Sequence, residues 1–425
     1  MMIRIYNARI LTPSGLLDGG EMWIEDGKIK FVSQVSPLIL LPWDREIDAK
    51  GNLLIPSFKN AHAHSPMVFL RSYADDMALG DWLFKQVFPR EAKLTEDDCY
   101  WLTKLAILEY LSSGISVASD MYFHLESIAE ACVESGFRNV ILEGITDSNK
   151  NGLYEKLQRG MDKLDGKGGL IEYRLGLHAE YTNSEECIKM LAGFAKENKM
   201  PVYTHLDETK GEVDGCVERH GKTPGEYLAD LGLFDYGGIA YHFVHPSEND
   251  IRALKERGVS IVTCPASNLK LASGVAPLKK LADLGFNIAL GTDGPASNNA
   301  LDMFREMYLA TGLQKGTLYD PTVISGESVF NMATANGAKA MGLDGLDGLE
   351  VGKDADIVMI DLHQPNMQPL NDIVKNVVYS GSKANVLMTI VAGKILYEKG
   401  EYFIGEDADK IYSKCQQIAD RILER

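Results

Sequence analysis

Leu53-Leu54-Ile55-Pro56-Ser57-Phe58 leads through Lys59-Asn60-Ala61 into His62-Ala63-His64, an apolar run that ends in two histidines one residue apart. A short apolar run of this kind reads as a buried strand, so metal-type side chains at its end place a site at a strand tip. Three further candidates close similar runs: His205 after Pro201-Val202-Tyr203-Thr204, His242 after Gly238-Ile239-Ala240-Tyr241, and Asp293 after Ile288-Ala289-Leu290-Gly291-Thr292. One such tip is coincidence; four point to an active site.

Apolar runs recur at 54–61, 115–119, 139–142, 173–177, 202–204, 239–241, 260–263 and 288–290, with helical patterns between them. One helix is predicted from the capping residue Thr95, with Glu96, Asp97 and Asp98 in its first turn, through Leu105, Leu108 and Leu111 toward Gly114. Strands in this number, separated by helices, predict an α/β fold: a parallel (β/α)₈ TIM-like barrel, whose catalytic residues sit at the C-terminal strand ends. The candidate residues fall there.

The chain ends read differently. Glu21-Met22-Trp23-Ile24-Glu25 and Lys28-Ile29-Lys30-Phe31-Val32 flank Asp26-Gly27, a turn whose preference for positive φ suits a tight hairpin. A matching pattern returns at 355–360 and 385–391, followed by Ala392-Gly393 and Lys394-Ile395-Leu396-Tyr397, so both ends are expected in one sheet-based domain. Asp407, Ile411, Cys415, Ile418 and Ile422 recur at helical spacing and predict an amphipathic C-terminal helix.

Composition narrows the class. A chain of 425 residues has material for one large domain and a smaller one. Its six cysteines are scattered without close pairing, which argues against a disulfide framework and favours a reducing cytoplasm. No basic-then-apolar leader opens the sequence, and no apolar run approaches the ~20 residues of a membrane span, so neither export nor membrane insertion is expected. A net charge of −17 without a segregated basic patch argues against nucleic acid as a partner. The expected partner is a small-molecule substrate, and the acidic surface leaves a homo-oligomer open.

Four motifs then occur in order: Asn60-Ala61-His62-Ala63-His64-Ser65-Pro66-Met67, His205-Leu206-Asp207-Glu208-Thr209, Cys264-Pro265-Ala266-Ser267-Asn268-Leu269-Lys270-Leu271, and Gly291-Thr292-Asp293-Gly294-Pro295-Ala296-Ser297-Asn298-Asn299. Together they resemble the amidohydrolase superfamily, nearest its branch of methylthioadenosine/S-adenosylhomocysteine deaminases and chlorotriazine-hydrolase relatives. The resemblance spans nearly the whole chain. It implies a barrel over 56–349, a small β-sandwich domain from 1–55 and 350–400, and a terminal helix over 401–425. It also implies one divalent metal held by His62, His64, His205 and Asp293. Zinc is favoured for imidazole nitrogen and carboxylate oxygen, and Fe²⁺ would accept the same set. Water on such a metal has its pKa lowered from 15.7 to about 7, so hydroxide is available to attack an amine-bearing ring carbon and release ammonia. The resemblance makes Glu208 the proton shuttle, His242 a hydrogen-bond partner of the attacking water, and Asp293 the acceptor of its proton.

For substrate, the resemblance aligns Glu91 with a carboxylate that receives ribose hydroxyls and His178 with a histidine of the same pocket, and adds Trp82 as a pocket residue. Each has an ordinary alternative: Glu91 as a helix-start ion pair, His178 as the end of a strand. Glu143 stands where relatives that use S-adenosylhomocysteine place an arginine, and a carboxylate facing the substrate carboxylate is unfavourable if desolvated. The expected substrate is therefore adenosine, 5′-deoxyadenosine or methylthioadenosine, with S-adenosylhomocysteine a poor one. Glu180, in Ala179-Glu180-Tyr181, is expected to put an extra carboxylate near the pocket mouth. His124, His220, His245 and His363 read as ordinary core or surface residues, and Gly285, Gly291 and Gly294 as turn formers. Asn268 shapes the pocket or ties its own loop. The alternatives are a deaminase or dechlorinase of another N-heterocycle (pterin, guanine-like, triazine) and a noncatalytic scaffold. A binuclear cyclic-amide hydrolase is disfavoured, because Tyr173-Arg174-Leu175-Gly176-Leu177-His178 holds no lysine to bridge two metals. The zinc deaminases with a Pro-Cys-x-x-Cys motif are a different fold whose pattern is missing here.

Overall fold

The computed structural model describes residues 2–35, 41–77 and 79–424. Five strands come first: β1 (Met2–Thr12), β2 (Gly15–Glu25), β3 (Lys28–Ser33), β4 (Arg45–Asp48) and β5 (Leu53–Pro56). The predicted hairpin joins β2 to β3, with Asp26 at φ 51° and Gly27 at φ 76°, the two positive values that a tight turn of this kind needs.

Parallel strands follow: β6 (Phe58–Ala63), β7 (Ile115–Tyr122), β8 (Arg138–Glu143), β9 (Ile171–Tyr173), β10 (Leu175–Leu177), β11 (Val202–Leu206), β12 (Gly238–His242), β13 (Ser260–Thr263) and β14 (Ile288–Leu290). They form a four-stranded sheet, β6 to β9, and a five-stranded sheet, β10 to β14. Parallel bridges join the two at both seams, Ile145 with Leu177 and Ala63 with Asp293. Helices separate most of these strands, an α/β arrangement of the TIM-barrel type. Residues of β6 to β14 are nearly all buried, as expected of parallel strands covered on both faces.

The chain ends with β15 (Ile357–Ile360), β16 (Val386–Val391), β17 (Lys394–Glu398) and β18 (Glu401–Tyr402). These join β1 to β5 in one nine-stranded sheet through antiparallel pairing of β15 with β5. Ile3, Ile5, Ile10, Met22, Ile24, Leu54, Ile357 and Met388 share a core there, so residues from both ends exclude water together. The terminal helix Ala408–Leu423 buries Ile411, Cys415, Ile418 and Ile422.

Two strands depart from expectation. The run 54–61 is two strands in different sheets: Pro56 closes β5, the Ser57 N–H continues its pairing with the β15 side at Asp356 O, and the Phe58 N–H is the first to switch, to Gly114 O beside β7. Lys59, inside the second, is fully buried and donates to Ser57 O and Oγ at 2.7 and 2.9 Å. The run 173–177 is interrupted at Arg174, so that β9 pairs with β8 while β10 pairs with β11.

Candidate active site

His62 lies near the end of β6 and His64 just past it, leading into the 3₁₀ turn Ser65–Leu70. His205 is in β11, His242 ends β12, and Asp293 follows β14. The backbone bends sharply at two of these tips: φ is 67° at His242 and 61° at Asp293, values that cost a non-glycine residue energy and persist where surrounding structure enforces them. Close approach also matters. A Cβ on Gly291 would meet His62 Cβ at 2.7 Å and its backbone N at 2.9 Å, so this glycine lets the end of β14 lie against β6 rather than forming a turn.

The side chains converge. Asp293 Oδ1 stands 3.5 Å from His62 Nε2 and 3.2 Å from His64 Nε2, while His64 and His205 bring their Nε2 atoms within 3.3 Å. His64 Nδ1 donates to Met121 O and His205 Nδ1 to His178 O, both at 2.6 Å. Because a carbonyl only accepts, Nδ1 must carry the proton, which leaves each Nε2 lone pair facing the cluster. Neither nitrogen of fully buried His62 has a hydrogen-bond partner, a costly arrangement unless another group takes one of them. Ser267 and Ser297 both donate to Asp293 Oδ2, at 2.5 and 2.7 Å, and Oδ1 is left for the imidazoles. Three imidazoles and a carboxylate, with a buried nitrogen otherwise orphaned, fit one divalent cation.

Among the cluster's own groups, burial opposes a charge on His64, but Asp293 outweighs it and raises the imidazole to about 9, so a cation would have to displace a proton there. Burial pushes His62 down to about 3, so it stays neutral and able to ligate. Burial opposes the charge on Asp293, but the adjoining imidazoles of His62, His64 and His242 outweigh it and hold the carboxyl well below its usual range. Glu208 stands 4.0 Å from His242 Nε2 and accepts from Ser273 Oγ at 3.2 Å. Burial pushes its pKa up, which favours a carboxyl able to carry a proton. His242 Nδ1 donates to Asn268 Oδ1 at 2.8 Å, so Asn268 orients the ring as well as bonding within its own loop.

This cluster forms the floor of a cavity of about 680 Å³. Trp82, Glu91 and His178 are among its lining residues. Glu91 accepts from Tyr122 OH at 2.7 Å and has its pKa raised by burial, and burial brings His178 down to about 4. Glu143 is not among the lining residues: its carboxylate accepts from Lys156 Nζ at 3.2 Å instead. The expected facing of two carboxylates therefore has no geometric basis. Glu180 does not sit at the cavity mouth as its sequence position predicts: it is 1% exposed, held by Arg219 and His220, and is not among the lining residues. His124, an ordinary residue by its sequence setting, lines the cavity two positions beyond the end of β7. Position at a strand end was the available signal.

Residues 53–396 match the model of the amidohydrolase family. The chain belongs to the amidohydrolase family. This amidohydrolase is 39% identical to the 5-methylthioadenosine/S-adenosylhomocysteine deaminase of Acetivibrio thermocellus, over 100% of both chains. It is 40% identical to the enzyme of the same name from Pyrococcus furiosus, over 94% of this chain and 96% of that one. Among solved structures, an adenosine deaminase from Xanthomonas campestris with bound zinc superposes with a TM-score of 0.90 and 31% identity, covering 100% of this amidohydrolase and 99% of the other chain.

Proposed function

We propose that the chain is a metal-dependent hydrolytic deaminase of aminated purine nucleosides, converting an amine-bearing ring carbon to a carbonyl with release of ammonia. The observation that carries this is the meeting of His64, His205, His242, Asp293 and Glu208 on the floor of one cavity, with buried His62 3.5 Å from Asp293 behind them. His62, His64, His205 and Asp293 would hold the divalent metal, with zinc preferred and Fe²⁺ compatible with the same donors. When bound, that ion supplies chemistry by lowering the pKa of water from 15.7 to about 7.

The protein's own groups do the rest. Asp293 Oδ1 accepts the proton released as water attacks, and His242 Nε2 hydrogen-bonds the attacking oxygen. Glu208 delivers a proton to the ring nitrogen beside the attacked carbon, so that negative charge does not accumulate on the ring. Glu91 and His178 bind the ribose and base, with Trp82 in the apolar wall. Adenosine, 5′-deoxyadenosine and methylthioadenosine suit a cavity whose described lining includes no lysine or arginine. S-adenosylhomocysteine would bring a carboxylate without a fixed counter-charge and is the poorer substrate. The architecture we propose is a closed eight-stranded barrel over 56–349, a β-sandwich from 1–55 and 350–400, and a terminal helix over 401–425.

Glu208→Gln tests the mechanism. The variant should keep its metal, measured by elemental analysis, and lose about 10²- to 10⁴-fold in kcat, the usual worth of a positioned acid–base group. Unchanged turnover with bound metal would overturn the shuttle assignment. Release of chloride from a chlorotriazine without ammonium from any nucleoside would replace deamination with dechlorination.

A further inference from the structure

Glu306 lies behind the site on the helix Met303–Leu318, with no exposed surface. A buried carboxylate is tolerated when its oxygens are satisfied, so its partners reveal what it holds. Its Oε2 accepts the Ala266 N–H at 3.0 Å, and its Oε1 accepts Asn298 Nδ2 at 2.8 Å. The same Asn298 amide donates to Thr292 O at 2.7 Å, beside Asp293. Ala266 belongs to the short helix Pro265–Lys270 after β13, and Asn298 to Pro295–Asn298 after β14. Each is the immediate neighbour of a serine, Ser267 or Ser297, whose hydroxyl grips Asp293 Oδ2. One carboxylate thus ties together the two segments that fix a single oxygen of Asp293.

We propose that Glu306 is a positioning residue that clamps these two segments, keeping both serine hydroxyls on Asp293 Oδ2 and so aiming Oδ1 at the imidazole cluster. The proposal rests on the reading of Asp293 as a metal ligand. Glutamine has nearly the same shape but offers one acceptor and one N–H₂ group. In Glu306→Gln one strut would therefore face donor against donor, and the serine beside it would lose its setting.

The test measures zinc affinity of the full chain by competition with a chromophoric chelator, melting of the metal-free protein, and kcat and KM on methylthioadenosine. Glu306→Gln should weaken zinc binding roughly 10- to 100-fold, the range for partners that orient a ligand, and lower kcat while KM stays within about twofold. In a Ser267→Ala/Ser297→Ala background the same substitution should cost less than about twofold further, because the hydroxyls through which it acts are gone. An equal loss in that background would overturn the clamp, as would reduced metal-free melting with unchanged zinc affinity. Asn298→Ala removes one strut while leaving the bond from Ala266 N–H to Glu306 in place, and should change zinc affinity in the same direction; no change would also overturn the proposal. Asp293→Ala separates the two readings. Unchanged zinc affinity there would defeat the ligand assignment itself, whereas a loss there with none in Glu306→Gln defeats only the clamp.

Discussion

The orientation of His242 depends on one bond. Its Nδ1 donates to Asn268 Oδ1 at 2.8 Å, leaving Nε2 as the nitrogen that faces Glu208 and the cavity. Asn268→Ala should leave Nδ1 buried and unpartnered, lowering kcat roughly 10- to 100-fold with a smaller change in KM, while metal content by elemental analysis stays intact. A buried glutamate gives a pH signature. Burial raises Glu212 from 4.5 to about 7, so the folded chain keeps a proton that the unfolded chain has released. Its stabilising contribution is complete below 4.5 and is lost as pH rises through 7. Urea midpoints should fall over that window in the parent and fall less in Glu212→Gln. The residues proposed as metal ligands and Glu208 stand out in the sequence because each lies at or near a strand end in a recognisable motif. Glu143 and Glu180 were misplaced for a physical reason: sequence position fixes where a Cα lies, but Lys156, Arg219 and His220, distant in sequence, decide where the carboxylates point.

Among the elements, the helix Glu96–Ser112 was readable from its start. Thr95 Oγ1 accepts the Asp98 N–H at 3.2 Å while Asp98 Oδ2 accepts the Thr95 N–H at 2.7 Å, the reciprocal pairing expected of a capped first turn. Arg421 of the terminal helix also reaches Asp98, so the cap is a tertiary contact too. Thr95→Ala should cost about 1 kcal/mol in chemical denaturation, with kcat unchanged. Strand boundaries were harder to see. Every residue of Leu53–Pro56 and Phe58–Ala63 is buried, so hydrophobic patterning cannot separate a strand of one sheet from the next strand of another. The break comes between Ser57, whose N–H still bonds Asp356 O in register with β15, and Phe58, whose N–H bonds Gly114 O beside β7, and only the partner strands reveal it.

At the scale of the molecule, the chain closes on itself: its first and last strands share a sheet, and Arg138 at the start of β8 pairs with Asp356 at 3.2 Å just before β15. This joining of the two ends was foreshadowed by the repeated hairpin patterns. Among the described residues all six cysteines are free and buried, and no helix is long and apolar enough to cross a membrane. A cation bound at the floor of the cavity should stabilise the whole fold, by about 4 kcal/mol at a thousandfold excess over Kd. Chelator treatment should therefore lower Tm, and zinc should restore it; an unchanged Tm would argue against a bound metal. The most direct measurement is ammonia release by zinc-loaded protein from adenosine, 5′-deoxyadenosine, methylthioadenosine and S-adenosylhomocysteine. One ammonia per nucleoside consumed, with kcat/KM lower for S-adenosylhomocysteine than for the other three, is the predicted result; no ammonia from any of the four would contradict the account.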